Sequence, residues 1–128
     1  EHVFTIQQVL TEIQRVLKPG GCLFFTVPFL WPLHEVPNDM HRYTPFALER
    51  YLTNAGFREI DIKGLGGWNA ALAQMLGLWV RRSGLKKHPQ KILSVLLKPI
   101  IKILIKKDTP KPFGKNQMYT NFSGTAKK

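Results

Sequence analysis

The sequence predicts an α/β fold, and three observations predict it. A periodic helix over Phe4–Leu17 meets a Lys18-Pro19-Gly20-Gly21 stop and passes straight into a near-continuous apolar run, Cys22–Val27. The same order returns at Thr44–Gly56 followed by Phe57–Lys63. The chain is 128 residues with 44% hydrophobic and 21% charged residues, a globular composition large enough for one core.

Each element has a local reason. In the first helix Ile6, Val9, Leu10, Ile13, Val16 and Leu17 recur at the spacing of one buried face. Thr5-x-x-Gln8 has the spacing of a capping box. The residue before a proline disfavours helical backbone, and glycine admits the turn, so the helix stops at Lys18. Cys22–Val27 reads as a strand apolar on both faces, the kind that lies inside a covered parallel sheet. Pro28 ends it and opens a long loop, PFLWPLHEVPNDMHRY, rich in proline and titratable groups. Thr44-Pro45 restarts a helix as N-cap and first residue, with Leu48, Tyr51, Leu52 and Ala55 inward. Phe57–Lys63 is a second strand, carrying Ile60 and Ile62 on one face, and Gly64, Gly66 and Gly67 mark a turn or bulge. Two further helices follow, Trp68–Arg82 and Pro89–Lys107, then a loop over Asp108–Asn116 and a last strand within Met118–Ala126.

Charge divides the chain. Residues 1–80 hold six basic and seven acidic groups, whereas residues 81–128 hold thirteen basic groups and only Asp108. The net +11 therefore belongs to the C-terminal third. Cys22 is the only cysteine, which excludes an intrachain disulfide and a cysteine-based zinc site and favours a reducing, cytoplasmic compartment. No metal site is expected. Glu1-His2-Val3 brings neither a start Met nor a signal peptide, so the chain reads as a fragment.

The runs EHV, EIQRVLKPGGCLFFTVP and HEVPNDMHRYTPFALERYLTNAGF together resemble the C-terminal half of a class I S-adenosylmethionine-dependent methyltransferase of the type-11 group. The resemblance covers about residues 1–67 and 117–128, and Arg15–Gly21 is its most specific run. It implies a partial Rossmann-like sheet whose strands correspond to the fifth, sixth and seventh, the last antiparallel. It also implies a helical basic and apolar insertion over residues 68–116. The expected organisation is thus 1–67 as part of the methyltransferase domain, 68–116 as the insertion and 117–128 as the closing strand. S-adenosylmethionine is the implied cofactor, with Glu1 and His2 on its side. The departure from the family is large. The chain has no glycine-rich first turn and no acidic residue ending a second strand, the features that grip most of such a cofactor, so the isolated fragment is expected to be inactive.

Chemistry is expected in the loop after Cys22–Val27. Methyl transfer from a sulfonium is an in-line displacement, so the protein aligns the nucleophile and removes a proton. His34 is of the residue type that most often serves as a general base. Asp39 and Arg42 can orient it, or can bind a sugar hydroxyl and an anion. The competing reading makes Asp39–Arg42 a pin for a proline-rich loop, with His34 bonded to backbone carbonyls. Trp31 and Tyr43 form either an aromatic wall or core, and His41 is expected to face solvent. Gly20 and Gly21 are read as a chain turn and not as a phosphate cradle.

The last helix has a separate character. Lys91, Lys98, Lys102 and Lys106 fall within about 80° of one another, while Ile and Leu cover much of the remaining circumference. Pro99 lies within it, where a kink is expected. Its apolar stretch is too short and too charged to span a bilayer but suits an anionic membrane surface through residues 89–107, a partner, or a second subunit in a homo-oligomer. The acceptor implied by the resemblance is a small molecule or glycan hydroxyl. A non-catalytic peripheral-membrane or scaffolding module is the alternative, with a nucleic-acid-binding module ranked behind it. No nucleic-acid partner is expected, because lysines alternating with Ile and Leu match no nucleic-acid motif.

Overall fold

A computed structural model describes all 128 residues. The elements run α1 (Ile6–Val16), β1 (Cys22–Pro28), α2 (Pro45–Asn54), β2 (Arg58–Leu65), α3 (Trp68–Arg82), α4 (Lys87–Lys106) and β3 (Asn121–Lys127). The chain divides into two compact units, residues 1–65 with 121–128, and residues 66–120.

In the first unit the strand order is β1-β3-β2, and β3 pairs antiparallel with both neighbours. β1 and β2 therefore run parallel to each other with the last strand inserted between them. The register sets Leu23 against Ala126, Phe25 against Gly124 and Val27 against Phe122, so one face of the sheet is apolar. Leu10 of α1, Leu52 of α2, Ala55, Phe57 and Ala126 form the core on that face, with Ile13, Leu23, Phe25, Ile60 and Ile62 packed around them. Gly124 lies on the central strand between Phe25 of β1 and Ile62 of β2. A Cβ there would stand 2.5 Å from Phe25 Cζ and 2.7 Å from Asp61 O. A bulge between Arg58 and Asp61 carries Glu59 at φ 44°, and its carboxylate meets Lys127 Nζ at 2.5 Å.

Two local expectations are corrected. The Thr5 hydroxyl makes no capping bond. Its backbone, at φ −101° and ψ 56°, lies outside the extended region in which a cap side chain reaches the first turn, and the Gln8 and Val9 N–H groups bond the Thr5 carbonyl instead. Thr44, at ψ 159°, is extended, and its hydroxyl accepts from Ala47 N at 3.2 Å as the sequence predicts. β1 is covered on one face only. Its outward row of Cys22, Phe24 and Thr26 is open, with Phe24 69% exposed, because α1 and α2 both pack on the opposite face.

The second unit is a pair of helices. Gly67 at the start of α3 has no side chain to cap with, and Asp108 supplies the cap. Its Oδ2 accepts from Gly67 N at 2.7 Å and its Oδ1 from Ala70 N at 2.9 Å. Asn69 donates to Lys107 O, which ties the start of α3 to the end of α4. Leu93, Leu97, Ile101 and Leu104 form the half-buried stripe of α4, although no α4 residue is fully buried. Pro99 lies inside this helix, which continues to Lys106. No helix is long and apolar enough to cross a membrane.

Candidate active site

The loop joining β1 to α2 is organised by one carboxylate. Asp39 is 2% exposed at its side chain and accepts both ends of the Arg42 guanidinium, Nη1 at 2.5 Å on Oδ1 and Nη2 at 2.7 Å on Oδ2. Oδ2 also accepts the His34 backbone N–H at 3.0 Å. Arg42 donates onward to the His41 and Trp31 carbonyls. A planar fork on a carboxylate is among the stronger polar contacts a protein makes, and it fixes a segment with no secondary structure of its own. The Arg42 hydrogen bonds hold the Asp39 carboxyl well below the usual carboxylate range, against the opposing effect of its own burial. Asp39 in turn pushes the Arg42 guanidinium up. The loop also contains a cis peptide at Val36-Pro37.

The start of the chain joins this loop. The Glu1 carbonyl accepts from Met40 N at 3.0 Å and His41 N at 3.2 Å. Glu1 Oε1 stands 3.5 Å from His2 Nε2 and 3.7 Å from His34 Nε2, and the two imidazoles meet edge to face with centroids 4.8 Å apart. His2 Nδ1 bonds the Asn38 carbonyl at 3.1 Å, which directs its other nitrogen toward Glu1. His34 Nδ1 lies 3.2 Å from Asp39 Oδ2, an ion-pair distance without hydrogen-bond geometry. Glu1, His2 and His34 thus gather one donor atom each within 4.8 Å. Such a set can share a proton and has the chemistry to take a divalent cation.

All five residues singled out in the sequence, Glu1, His2, His34, Asp39 and Arg42, therefore meet in one place. The contact between Glu1 and the two histidines has no sequence signal, since residues 1 and 34 share no periodicity. Two side chains behave differently from expectation. His41 does not face solvent; it is half-buried and stacked on Tyr43 at 5.3 Å. Tyr43 is buried core, packed edge-on against Tyr51, and burial pushes its hydroxyl pKa up. Gly20, at φ 74°, turns the chain, with Gly21 N bonded to Lys18 O.

The buried side-chain polar atoms that lack a hydrogen-bond partner are His34 Nδ1, His41 Nδ1, Arg42 Nε and the Tyr43 hydroxyl. All four fall within ten residues of one loop. Buried polar groups are ordinarily satisfied, so this clustering marks the loop as the place where the fold tolerates unmet polarity. The loop leaves the C-terminal end of β1, the edge at which open α/β sheets bind ligands.

No protein-family model matches the sequence, and no curated protein matches it significantly. Solved structures do. A phosphoethanolamine N-methyltransferase 2 of Haemonchus contortus, in complex with phosphomonomethylethanolamine and S-adenosylhomocysteine, superposes over 99% of this chain and 31% of its own, at TM-score 0.50 and 14% identity. A SAM-dependent methyltransferase from Archaeoglobus fulgidus superposes over 100% of this chain and 55% of its own, at TM-score 0.51 and 16% identity. The chain spans about a third to a half of the length of these structures. The fold is that of part of a Rossmann-like methyltransferase.

Proposed function

We propose that this chain is part of an S-adenosylmethionine-dependent methyltransferase acting on a hydroxyl of a sugar or lipid-linked glycan. One observation carries the reading. The buried polar atoms left without partners are confined to the loop at the ligand-binding edge of a sheet whose fold is shared with methyltransferases. Bound S-adenosylmethionine would supply an activated methyl group on a sulfonium.

The chain's own residues then do the following. With the cofactor bound, His34 Nε2 would accept the proton that the acceptor hydroxyl loses as its oxygen displaces the thioether from the methyl carbon. The Glu1 carboxylate, 3.7 Å from that nitrogen, stabilises the imidazolium that results. Asp39 positions the imidazole from its other side and is itself fixed by the Arg42 fork. Glu1 and His2 would border the cofactor.

The test is His34→Ala and Asp39→Ala in the full-length enzyme. Loss of a positioned base lowers turnover by about 10²–10⁴ while cofactor affinity stays within a few-fold. Wild-type-like turnover at equal stability would leave the loop as a structural pin and favour a non-catalytic scaffold.

A further inference from the structure

Helix α4 divides into three faces. At 100° per residue, the half-buried Leu93, Leu97, Ile101 and Leu104 centre on one direction. Ile92, Leu96, Ile100 and Ile103 centre about 100° to one side, and Lys91, Lys98, Lys102 and Lys106 about 140° to the other. The first face packs on α3. The second is bare, with Leu96 61% and Ile103 55% exposed. The third is a row of exposed lysines.

Nothing in the second unit neutralises that row. α4 contains five lysines and no acidic residue, and none of these lysines forms an ion pair. Asp108, the one carboxylate after residue 80, has both oxygens bonded at the start of α3. α3 adds a second open apolar stripe, Trp68, Leu72, Met75 and Trp79, at i, i+4, i+7 and i+11.

We propose that α4 lies along an anionic lipid surface, its Ile92–Leu96–Ile103 face inserted at the acyl boundary and its lysine row against phosphate head groups. An adjacent apolar stripe and cationic stripe on one helix are what an interface helix needs, and charge complementarity selects anionic lipid. A nucleic acid would engage the lysines and leave the apolar face in water. A second copy packed α4 against α4 would bring like-charged lysine rows together, which opposes association.

The experiment is sedimentation of the 128-residue chain with phosphatidylcholine vesicles of rising phosphatidylglycerol content. Binding should rise with phosphatidylglycerol and fall with salt, and it should retain a residue at high salt from the inserted apolar face. Changing Lys98, Lys102 and Lys106 to Glu should weaken it by about 100-fold or more, at roughly 5-fold per lysine removed. Leu96→Ser with Ile103→Ser should weaken it about tenfold or more, while duplex DNA binding, if any, stays unchanged. Both side chains are more than half exposed, so the variants are expected to keep their helical circular dichroism. The lysine variant, exposed at every site, provides the second measurement. The proposal is overturned by absence of binding at every phosphatidylglycerol content, by vesicle binding indifferent to the serine pair, or by a Leu96- and Ile103-dependent dimer in gel filtration.

Discussion

Asp39 shows how much of this loop hangs on one side chain. Its carboxylate receives the Arg42 fork and the His34 N–H, and those bonds hold it ionised far into acid. Because the folded-state pKa is depressed, the pair's contribution to stability is fully present above the ordinary carboxyl range near ~4 and is lost progressively as the pH falls from there through the depressed folded-state pKa. Arg42→Ala should therefore be less stable than wild type at neutral pH, and the gap should narrow in acid. Denaturant titrations at about pH 7 and about pH 3 check this, and a gap that stays constant would mean the fork contributes nothing through charge. The Asp39–Arg42 pair was visible in the sequence because i, i+3 spacing within a proline-rich loop brings the two within reach. The approach of Glu1 to His34 was not visible, since only the fold sets it. The same division separates Thr44 from Thr5. Both have the residue type of an N-cap, but only the backbone of Thr44 is extended enough to use it.

Elements were legible where their signals are local and opaque where a partner lies far along the chain. The Pro45 start, the Gly56 stop and the helix from Trp68 to Arg82 follow from periodicity and breakers. The role of Asp108 does not, because it caps backbone groups 38 and 41 residues earlier. Asp108→Ala should remove both bonds at the start of α3 and cost about 1–2 kcal/mol, measurable in denaturant unfolding. Gly124 is a similar case. Nothing in Ser123-Gly124-Thr125 announces that Phe25 and the Asp61 carbonyl close on it from either side. Gly124→Ala must displace the Phe25 ring or part the strands, an overpacking cost of about 1–3 kcal/mol. A smaller loss would mean that the ring swings away freely, and the Phe25→Leu, Gly124→Ala double variant separates the two causes by recovering stability only if the ring is the obstacle.

At the scale of the whole molecule, the α/β class was readable from the order of helix and strand signals, whereas the antiparallel last strand was what the methyltransferase resemblance implied. The exposure of β1 was not, because a residue such as Phe24 reads as interior whether or not these residues supply its cover. The first unit presents an uncovered sheet face at Phe24 and a groove along α1 lined by Thr5, Gln8, Val9, Glu12, Ile13 and Val16, of about 350 Å³. Both surfaces have the character of faces that pack against further structure. The ligand edge is likewise represented by one parallel pair, β1 and β2, separated by β3. Open α/β sheets hold dinucleotide-like cofactors in the crevice where the strand order reverses, with a glycine turn and helix N-terminus on the charged end and a carboxylate on the ribose. The 128 residues contain no glycine-rich turn that joins a parallel strand to a helix N-terminus in this way, since the N–H of Gly67 at the start of α3 is already bonded to Asp108. The expected outcome is that this chain alone gives no calorimetric signal with S-adenosylmethionine at micromolar concentration. Micromolar binding by the chain alone would show that the Glu1–His2 edge is a sufficient grip, and it would move the cofactor's main contacts onto the loop that Asp39 holds in place.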